Sequence, residues 1–307
     1  MKIGILSRNH SLYSTRRLAE AGRECGHQIT LVDTLSVVVE ANSEDGKVKV
    51  VNKRPSTFAP AVWGFSKKSV DFLPRFDAII PRIGANITQH GIAVVRQFEA
   101  MRIMTTASAN AIAQSRDKLL SMQLMNQAGL PIPKTAVIAT PDALATAIKS
   151  VGGTPVIIKL SQGTQGRGVI LARNLATAEA VMQKFFEAKR QVLIQEYIQE
   201  TAGQDMRIIV VGDRCVAAMK RFAKTGDFRA NLHLGGTAVP IQPDPETAAL
   251  AIAAAKAHGL AVAGVDILES NRGSLVLELN SSPGLEGIEG FTNIDVATQI
   301  IQHLERR

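Results

Sequence analysis

Cysteine is nearly absent. The 307 residues hold two, Cys25 and Cys215, far apart and in no CxxC pair. Neither a disulfide framework nor a zinc site is expected, and a reducing, cytoplasmic setting fits. Aromatics are scarce as well, at 4% of the chain with one tryptophan. That leaves no basic–aromatic ladder on which single strands could stack, and no direct nucleic-acid role is expected. Long hydrophobic runs are missing. The longest small-apolar stretch, Ala248 to Val265, is broken by Lys256 and His258, so it reads as a helix and a strand and not as a membrane span. The apolar start of the chain is too short for a signal peptide. No GxGxxG follows the first strand, which argues against a dinucleotide site there. Acidic residues are outnumbered, 27 against 35 basic, and the resulting charge of +8 favours acidic partners such as nucleotides or acidic peptides.

What is present reads as an ordinary globular chain, 46% hydrophobic and 20% charged, long enough for two or three modest domains. A strand over Lys2 to Leu6, a helix over Ser14 to Cys25 closed by Gly26, and a strand over Gln28 to Val32 open a parallel βαβ sheet. Lys47 to Val51 alternates like a short strand, Phe76 to Ile80 is a buried strand, and 89–102 is an amphipathic helix. From Ser115 the texture changes. A helix over Leu119 to Met125 ends at Gly129, and a strand over Pro155 to Leu160 meets a glycine-rich loop and a returning strand over Val169 to Ala172. Strand, glycine loop and strand make a hairpin lid, unlike a P-loop, where a helix follows the glycines. Further on come a helix over Ala176 to Ala188, a strand over Val192 to Tyr197, a hairpin turning at Gly212-Asp213, an alanine-rich helix over Thr247 to His258, a second hairpin turning at Asn271-Arg272-Gly273, and a closing helix over Ile294 to Glu305.

The strongest chemical signal lies near the C-terminal end. Glu278 and Asn280 sit two apart on one strand, so alternation sends both to one face. Asp266 interrupts the neighbouring apolar strand and can lie beside Glu278 across the hairpin. Two carboxylates and an amide are hard oxygen ligands suited to Mg²⁺ or Mn²⁺; a sheet with one solvated face is the plainer reading, made less attractive by the turn Ser281-Ser282-Pro283-Gly284 at the strand end. The loop Gly163-Thr164-Gln165-Gly166-Arg167-Gly168 lets backbone N–H groups approach phosphate. Alone it is a weak signal; Lys159, at the end of the strand before it, strengthens it as a point charge for phosphate, although by itself this lysine reads equally as one snorkelling from a strand end. Gln195-Glu196-Tyr197-Ile198 can frame an adenine edge, with Asp205 and Arg207 following. Arg221, Arg229 and Asn231 offer fork-like donors and a neutral ligand for phosphoryl oxygens, whereas Lys224 reads as a solvated loop residue and His233 as incidental. Arg82, closing a strand, suits a substrate carboxylate or a structural role about equally.

Taken together, Asp117-Lys118, Lys159 before the glycine hairpin, Glu196-Tyr197-Ile198, Asp205-Met206-Arg207, Arg229-Ala230-Asn231, Asp266 and Glu278-Leu279-Asn280-Ser281-Ser282-Pro283-Gly284 resemble the ATP-grasp superfamily, and more narrowly the RimK-type ligases, along almost the whole chain. The resemblance implies a mixed α/β and α+β architecture, an ATP-grasp fold behind an N-terminal Rossmann-like (pre-ATP-grasp) domain. It divides the chain into 1–110 for substrate, 111–192 with the lid, and 193–307 with the metal site. It implies an ATP-dependent acid–amino-acid ligase working through an acyl phosphate, adding L-glutamate to the C-terminus of the sixth ribosomal small-subunit protein or building oligo-α-glutamate. It implies that Lys118 and Lys159 hold ATP phosphates beneath the lid glycines Gly163, Gly166 and Gly168 with Gln165, that Glu196, Tyr197 and Ile198 frame adenine, and that Asp205 meets ribose. Asn231 joins the nucleotide set, Arg221 and Arg229 stabilise the transferring phosphoryl group, and Asp266, Glu278 and Asn280 hold two Mg²⁺ or Mn²⁺ ions. Family habit also implies a homo-oligomer, a tetramer. The segment 52–76, with Trp63 and Lys67-Lys68, is longer than in close relatives and leaves the acceptor open. Ligation to a small-metabolite carboxylate and an inactive ATP-binding regulator are the alternatives.

Overall fold

A computed structural model describes residues 1–39, 48–51, 70–160, 168–187 and 191–306. The chain divides into two compact units. The first comprises Met1–Ala113 with Gly284–Glu286 and Asp295–Arg307, and the second Gln114–Pro283 with Gly287–Ile294.

The first unit opens with β1 (Lys2–Leu6), α1 (Tyr13–Glu24) and β2 (Gln28–Val32), continues through β3 (Val37–Val39), β4 (Val48–Val51), β5 (Val70–Phe72) and β6 (Ala78–Pro81), and proceeds to α2 (Thr88–Ala100) and β7 (Met104–Thr105). Among the described residues, β2-β1-β6-β7 form a parallel sheet and β3-β4-β5 an antiparallel one. Ile3, Ile5, Leu6, Ile79 and Ile80 are almost wholly buried, as continuous apolar runs in a parallel sheet require. Residues 52–69, with Trp63 and Lys67-Lys68, lie outside the described residues.

Helix α3 (Ala109–Arg116) carries the chain from the first unit into the second, which continues through α4 (Lys118–Gln127), β8 (Thr135–Ile138), α5 (Leu144–Ser150), β9 (Val156–Leu160), β10 (Val169–Ala172), α6 (Leu175–Glu187) and β11 (Val192–Glu196). It then adds β12 (Gln204–Val211), β13 (Arg214–Phe222), β14 (Thr237–Pro240), α7 (Pro245–Ala257), β15 (Val262–Ser270), β16 (Gly273–Asn280) and α8 (Glu286–Thr292). Its strands make two antiparallel sheets, β10-β9-β11-β8 and β14-β13-β12-β15-β16. In the first of these sheets Val156, Ile158, Ala172, Val192, Ile194 and Ile138 share one face and pack under α5 and α6. In the second, Ile208, Val265, Ile267 and Leu279 are buried on the face that α7 covers with Ala251, Ala254 and Ala255. Each sheet thus has one apolar face spoken for and one left for polar residues.

The last helix, α9 (Val296–Glu305), returns to the first unit and packs on α1. A Cβ at Gly22 would stand 2.4 Å from Ile29 Cδ1, so the close packing of α1 on β2 depends on a missing side chain, whereas Ile301 Cδ1 of α9, at 3.5 Å, would make ordinary contact. Arg17 and Asp295 pair at 3.2 Å beside it.

The expected hairpin turns are present. Gly212 and Gly273 take positive φ at them, where a Cβ would be strained. Among the described residues no helix is long and apolar enough to cross a membrane, and both cysteines are free thiols.

Candidate active site

The polar face of the five-stranded sheet carries one row of charge across four strands. Register sets Arg221 of β13 opposite Asp205 of β12, Arg207 of β12 opposite Asp266 of β15, and Asp266 opposite Glu278 of β16, while Asn280 lies opposite Gly264. Two bulges make this row possible. In β15–β16 the pairing jumps from Ile267↔Val276 to Asp266↔Glu278, leaving Leu277 as the extra residue. The tight turn alone would set Asp266 opposite Leu277 and send Glu278 and Asn280 to the other face, because side chains alternate. In β12–β13 the jump from Val210↔Cys215 to Ile209↔Ala217 leaves Val216 extra and shifts Arg221 into line with Asp205 in the same way.

The row is tightly paired. Arg207 grips Asp266 in fork geometry, through Nε and through Nη2 to Oδ2 at 2.7 Å. Arg221 grips Asp205 with two bonds of 2.7 Å and reaches Asp266 Oδ1 at 3.2 Å. Burial works to raise the Asp266 carboxyl, but Arg207 and Arg221 outweigh it and hold it below the usual range. Burial lifts Asp205 to about 6 against the opposing pull of Arg221. Burial also opposes the Arg221 charge, and Asp266 and Asp205 more than restore it. Asp266 is therefore an anionic oxygen donor beside Glu278. Among the described residues no three His, Cys, Asp or Glu side chains gather into a ready metal cage, and the set here is two carboxylates and an amide. Hard oxygens of this kind fit Mg²⁺ or Mn²⁺ when phosphate oxygens complete the shell. Gly264 keeps that face open: a Cβ there would come 2.9 Å from Pro283 Cβ and 3.7 Å from Asn280 Cβ.

Opposite Glu278, a narrow cleft is lined by Lys118, Ser121, Lys159 and Gln195. Lys118 begins α4, whose N-cap Asp117 accepts from Leu120 N at 3.0 Å. Lys159 lies on the polar face of β9, directly across from Leu193 of β11. Burial lowers it to about 8, with Glu278 and Asp266 pulling the other way and Lys118 adding to the fall. Its ammonium donates to Gln195 Oε1 at 2.7 Å.

The other expected residues sit as follows. Gly163, Gln165 and Gly166 lie outside the described residues. Gly168, with φ +76°, ends the hairpin; a Cβ on it would meet Leu160 Cδ1 at 3.0 Å. Glu196 commits its carboxylate to Lys134 N at 2.7 Å and to Arg272 at 2.5 Å, and its own N–H to the Lys134 carbonyl. Both side-chain bonds fall on Oε1, which ties the strand end. Tyr197 stands edge-on to Phe228, 6.5 Å between centroids, and Ile198 is buried. Both oxygens of Asp205, the expected ribose contact, are engaged by Arg221. Arg229 is paired with Asp227 at 2.7 Å, which holds the Asp227 carboxyl down to about 2. The Asn231 carbonyl accepts from Leu234 N and Gly236 N. Lys224 is exposed, as expected of a solvated loop residue. Arg82 lies just past β6 in the first unit, where burial lowers its guanidinium to about 10.

Two features had no sequence signal. Arg207 stood in a recognised motif but nothing pointed to its grip on Asp266. Ser121 donates to His258 Nε2 at 2.9 Å while His258 Nδ1 donates to the Ala254 carbonyl at 2.9 Å. This buried clasp, between residues 137 apart, fastens α4 and hence Lys118 to the end of α7. Burial lowers the His258 pKa, which favours the neutral imidazole that can accept at Nε2.

A family model for the RimK-like ATP-grasp domain matches residues 115–304, and one for the RimK PreATP-grasp domain matches 1–62 and 66–112. A "probable alpha-L-glutamate ligase" of Marinomonas sp. (strain MWYL1) is 49% identical over 306 residues, covering 100% of this chain and 96% of the relative. One with the same description from Shewanella loihica is 47% identical over 307 residues, with the same coverage. Among solved structures, the ATP-grasp ligase PsnB complexed with minimal precursor, Mg and ADP superposes with a TM-score of 0.71 at 20% identity, covering 99% of this chain and 97% of that one. The mixed architecture expected from the sequence is therefore the ATP-grasp fold, and the chain belongs to the RimK-like ATP-grasp family.

Proposed function

We propose that this protein is an ATP-dependent ligase that activates a carboxylate as an acyl phosphate and joins it to the amine of L-glutamate. The observation that carries this reading is the charged row ending in Asp266, Glu278 and Asn280, set opposite Lys118 and Lys159 across one cleft. The full-length relatives described as glutamate ligases support the choice of amino acid.

A free carboxylate does not acylate an amine, because oxide is too poor a leaving group. Transfer of the γ-phosphoryl group to a carboxylate oxygen breaks the bond to ADP and forms an acyl phosphate. The amine then attacks the carbonyl, loses its proton and expels phosphate. Catalysis of such transfers is mostly positioning and charge neutralisation. Lys118 and Lys159 supply cationic donors for phosphate oxygens. Arg221, paired with Asp205 and Asp266, and Arg229, paired with Asp227, would lend guanidinium charge to the transferring group. Asp266, Glu278 and Asn280 would hold Mg²⁺ or Mn²⁺, two ions when ATP is bound, which supply further neutralisation of phosphate charge. In this reading the lid residues Gly163, Gln165, Gly166 and Gly168 would cover the phosphates and keep water from the acyl phosphate. The same reading assigns adenine to Glu196, Tyr197 and Ile198, ribose to Asp205, and Asn231 to the nucleotide set.

The acceptor carboxylate is the C-terminus of the sixth ribosomal small-subunit protein, or a growing α-glutamate chain. Incubation with ATP, Mg²⁺ and glutamate, with and without a peptide ending in that C-terminal sequence, tests the proposal. ADP release with a mass ladder spaced by glutamate supports it. ADP release that requires a small non-peptide acid instead replaces the acceptor, and no release with any acceptor overturns the ligase reading.

A further inference from the structure

Lys159 is one end of a hydrogen-bond chain that crosses β9, β11 and β8 on the polar face of their sheet. Its Nζ donates to Gln195 Oε1 at 2.7 Å, Gln195 Nε2 donates to Thr135 Oγ1 at 2.9 Å, and Thr135 Oγ1 donates to the Pro133 carbonyl at 2.9 Å. The polarity of every link is forced. A carbonyl only accepts, so the threonine hydroxyl gives its proton to Pro133 and presents a lone pair to the amide. That lone pair selects the NH₂ end of Gln195, which leaves the amide oxygen facing Lys159. A flipped amide would set NH₂ against an ammonium and leave Thr135 with oxygen against oxygen.

Gln195 is 3% exposed and lines the same cleft as Lys118, Lys159 and Glu278. Register places it directly opposite Ile157 on one side and Thr135 on the other, so its side chain shares the face of Lys159. A buried glutamine with both ends satisfied is a rigid anchor, whereas a lysine is a flexible stem carrying a charge.

We propose that Gln195 is a positioning residue for the nucleotide: its amide oxygen, oriented by Thr135, holds the Lys159 ammonium at the phosphate end of the cleft. This rests on the reading of Lys159 as a phosphate ligand. Gln195 touches no phosphate itself and acts through the lysine.

A double-mutant cycle in nucleotide affinity tests it. Binding of ADP with Mg²⁺ is measured by calorimetry for the wild type, Lys159→Met, Gln195→Leu and the double variant, with KM for ATP and kcat determined alongside. Lys159→Met weakens ADP by roughly 10- to 100-fold, the range of a charge-assisted hydrogen bond. Gln195→Leu weakens it about tenfold, raises KM for ATP similarly and leaves kcat at saturating ATP within about twofold, the signature of lost uniform binding. In the Lys159→Met background Gln195→Leu changes nothing further. Thr135→Val follows the same pattern with a smaller effect, about threefold in the wild type and none in Lys159→Met, and it carries the test should Gln195→Leu fail to fold. Equal losses from Gln195→Leu with and without Lys159 overturn the positioning role and leave the phosphate reading standing. An unchanged affinity in Lys159→Met overturns both.

Discussion

At the scale of single residues, the site is governed by who neutralises whom. Asp266 is 5% exposed and carries a full charge because two guanidiniums meet it. Replacing Arg207 by Leu leaves that carboxylate with one partner, and breaking a buried pair of this kind costs about 3 kcal/mol of folding stability. Chemical denaturation should show that loss, together with a fall in turnover. Lys159 gives a prediction in pH. In the role proposed for it the ammonium is the form that binds phosphate, and burial lowers its pKa to about 8. kcat/KM for ATP therefore falls as pH rises through about 8. Lys159→Arg, whose guanidinium keeps its proton above pH ~12, should remove that limb from the profile. The candidate ligands Asp266, Glu278 and Asn280 were legible one by one, since each is a polar interruption in an apolar strand. Their partners were not, because an ion pair such as Arg207 with Asp266 spans 59 positions and leaves no local pattern.

At the scale of elements, two bulges decide which residues meet. Alternation along the sequence correctly sets Glu278 and Asn280 on one face, but it is silent on whether Asp266 shares it. The answer lies in the extra residue Leu277, and nothing in an apolar run marks one leucine as the unpaired one. Deleting Leu277 removes the extra residue and leaves Ile267 opposite Val276 and Asp266 opposite Glu278 in plain alternation, so metal-dependent turnover should persist within about tenfold. Loss of turnover in that variant, with the far-UV signal of the sheet intact, would show that the bulge itself shapes the site. Gly264→Val tests the same face more gently, since its side chain must press on Pro283; overpacking there should cost about 1–3 kcal/mol on a denaturation curve. The long strands, the hairpin turns and the amphipathic helices were readable from periodicity. β8 was not, because four residues after two prolines give too short a pattern, and with it the Thr135 end of the Gln195 chain stayed hidden.

At the scale of the whole molecule, family and fold followed from the order of motifs along the chain, which composition alone would never have given. The charge of +8 bears on the acceptor. Capture of an acidic peptide should weaken with salt, because screening shortens the reach of the field to about 8 Å at physiological ionic strength. kcat/KM for the peptide should accordingly drop several-fold between low and moderate salt, while kcat at saturation holds. Everything else depends on the oxygen ligands of β15 and β16 holding a divalent ion against nucleotide phosphate. Electron paramagnetic resonance of Mn²⁺ titrated into the protein with ADP measures this directly. Wild-type protein should take up Mn²⁺ with the nucleotide, and Glu278→Gln should bind it at least ~10-fold more weakly, as loss of an anionic ligand demands. Uptake by Glu278→Gln equal to that of the wild type would contradict the account.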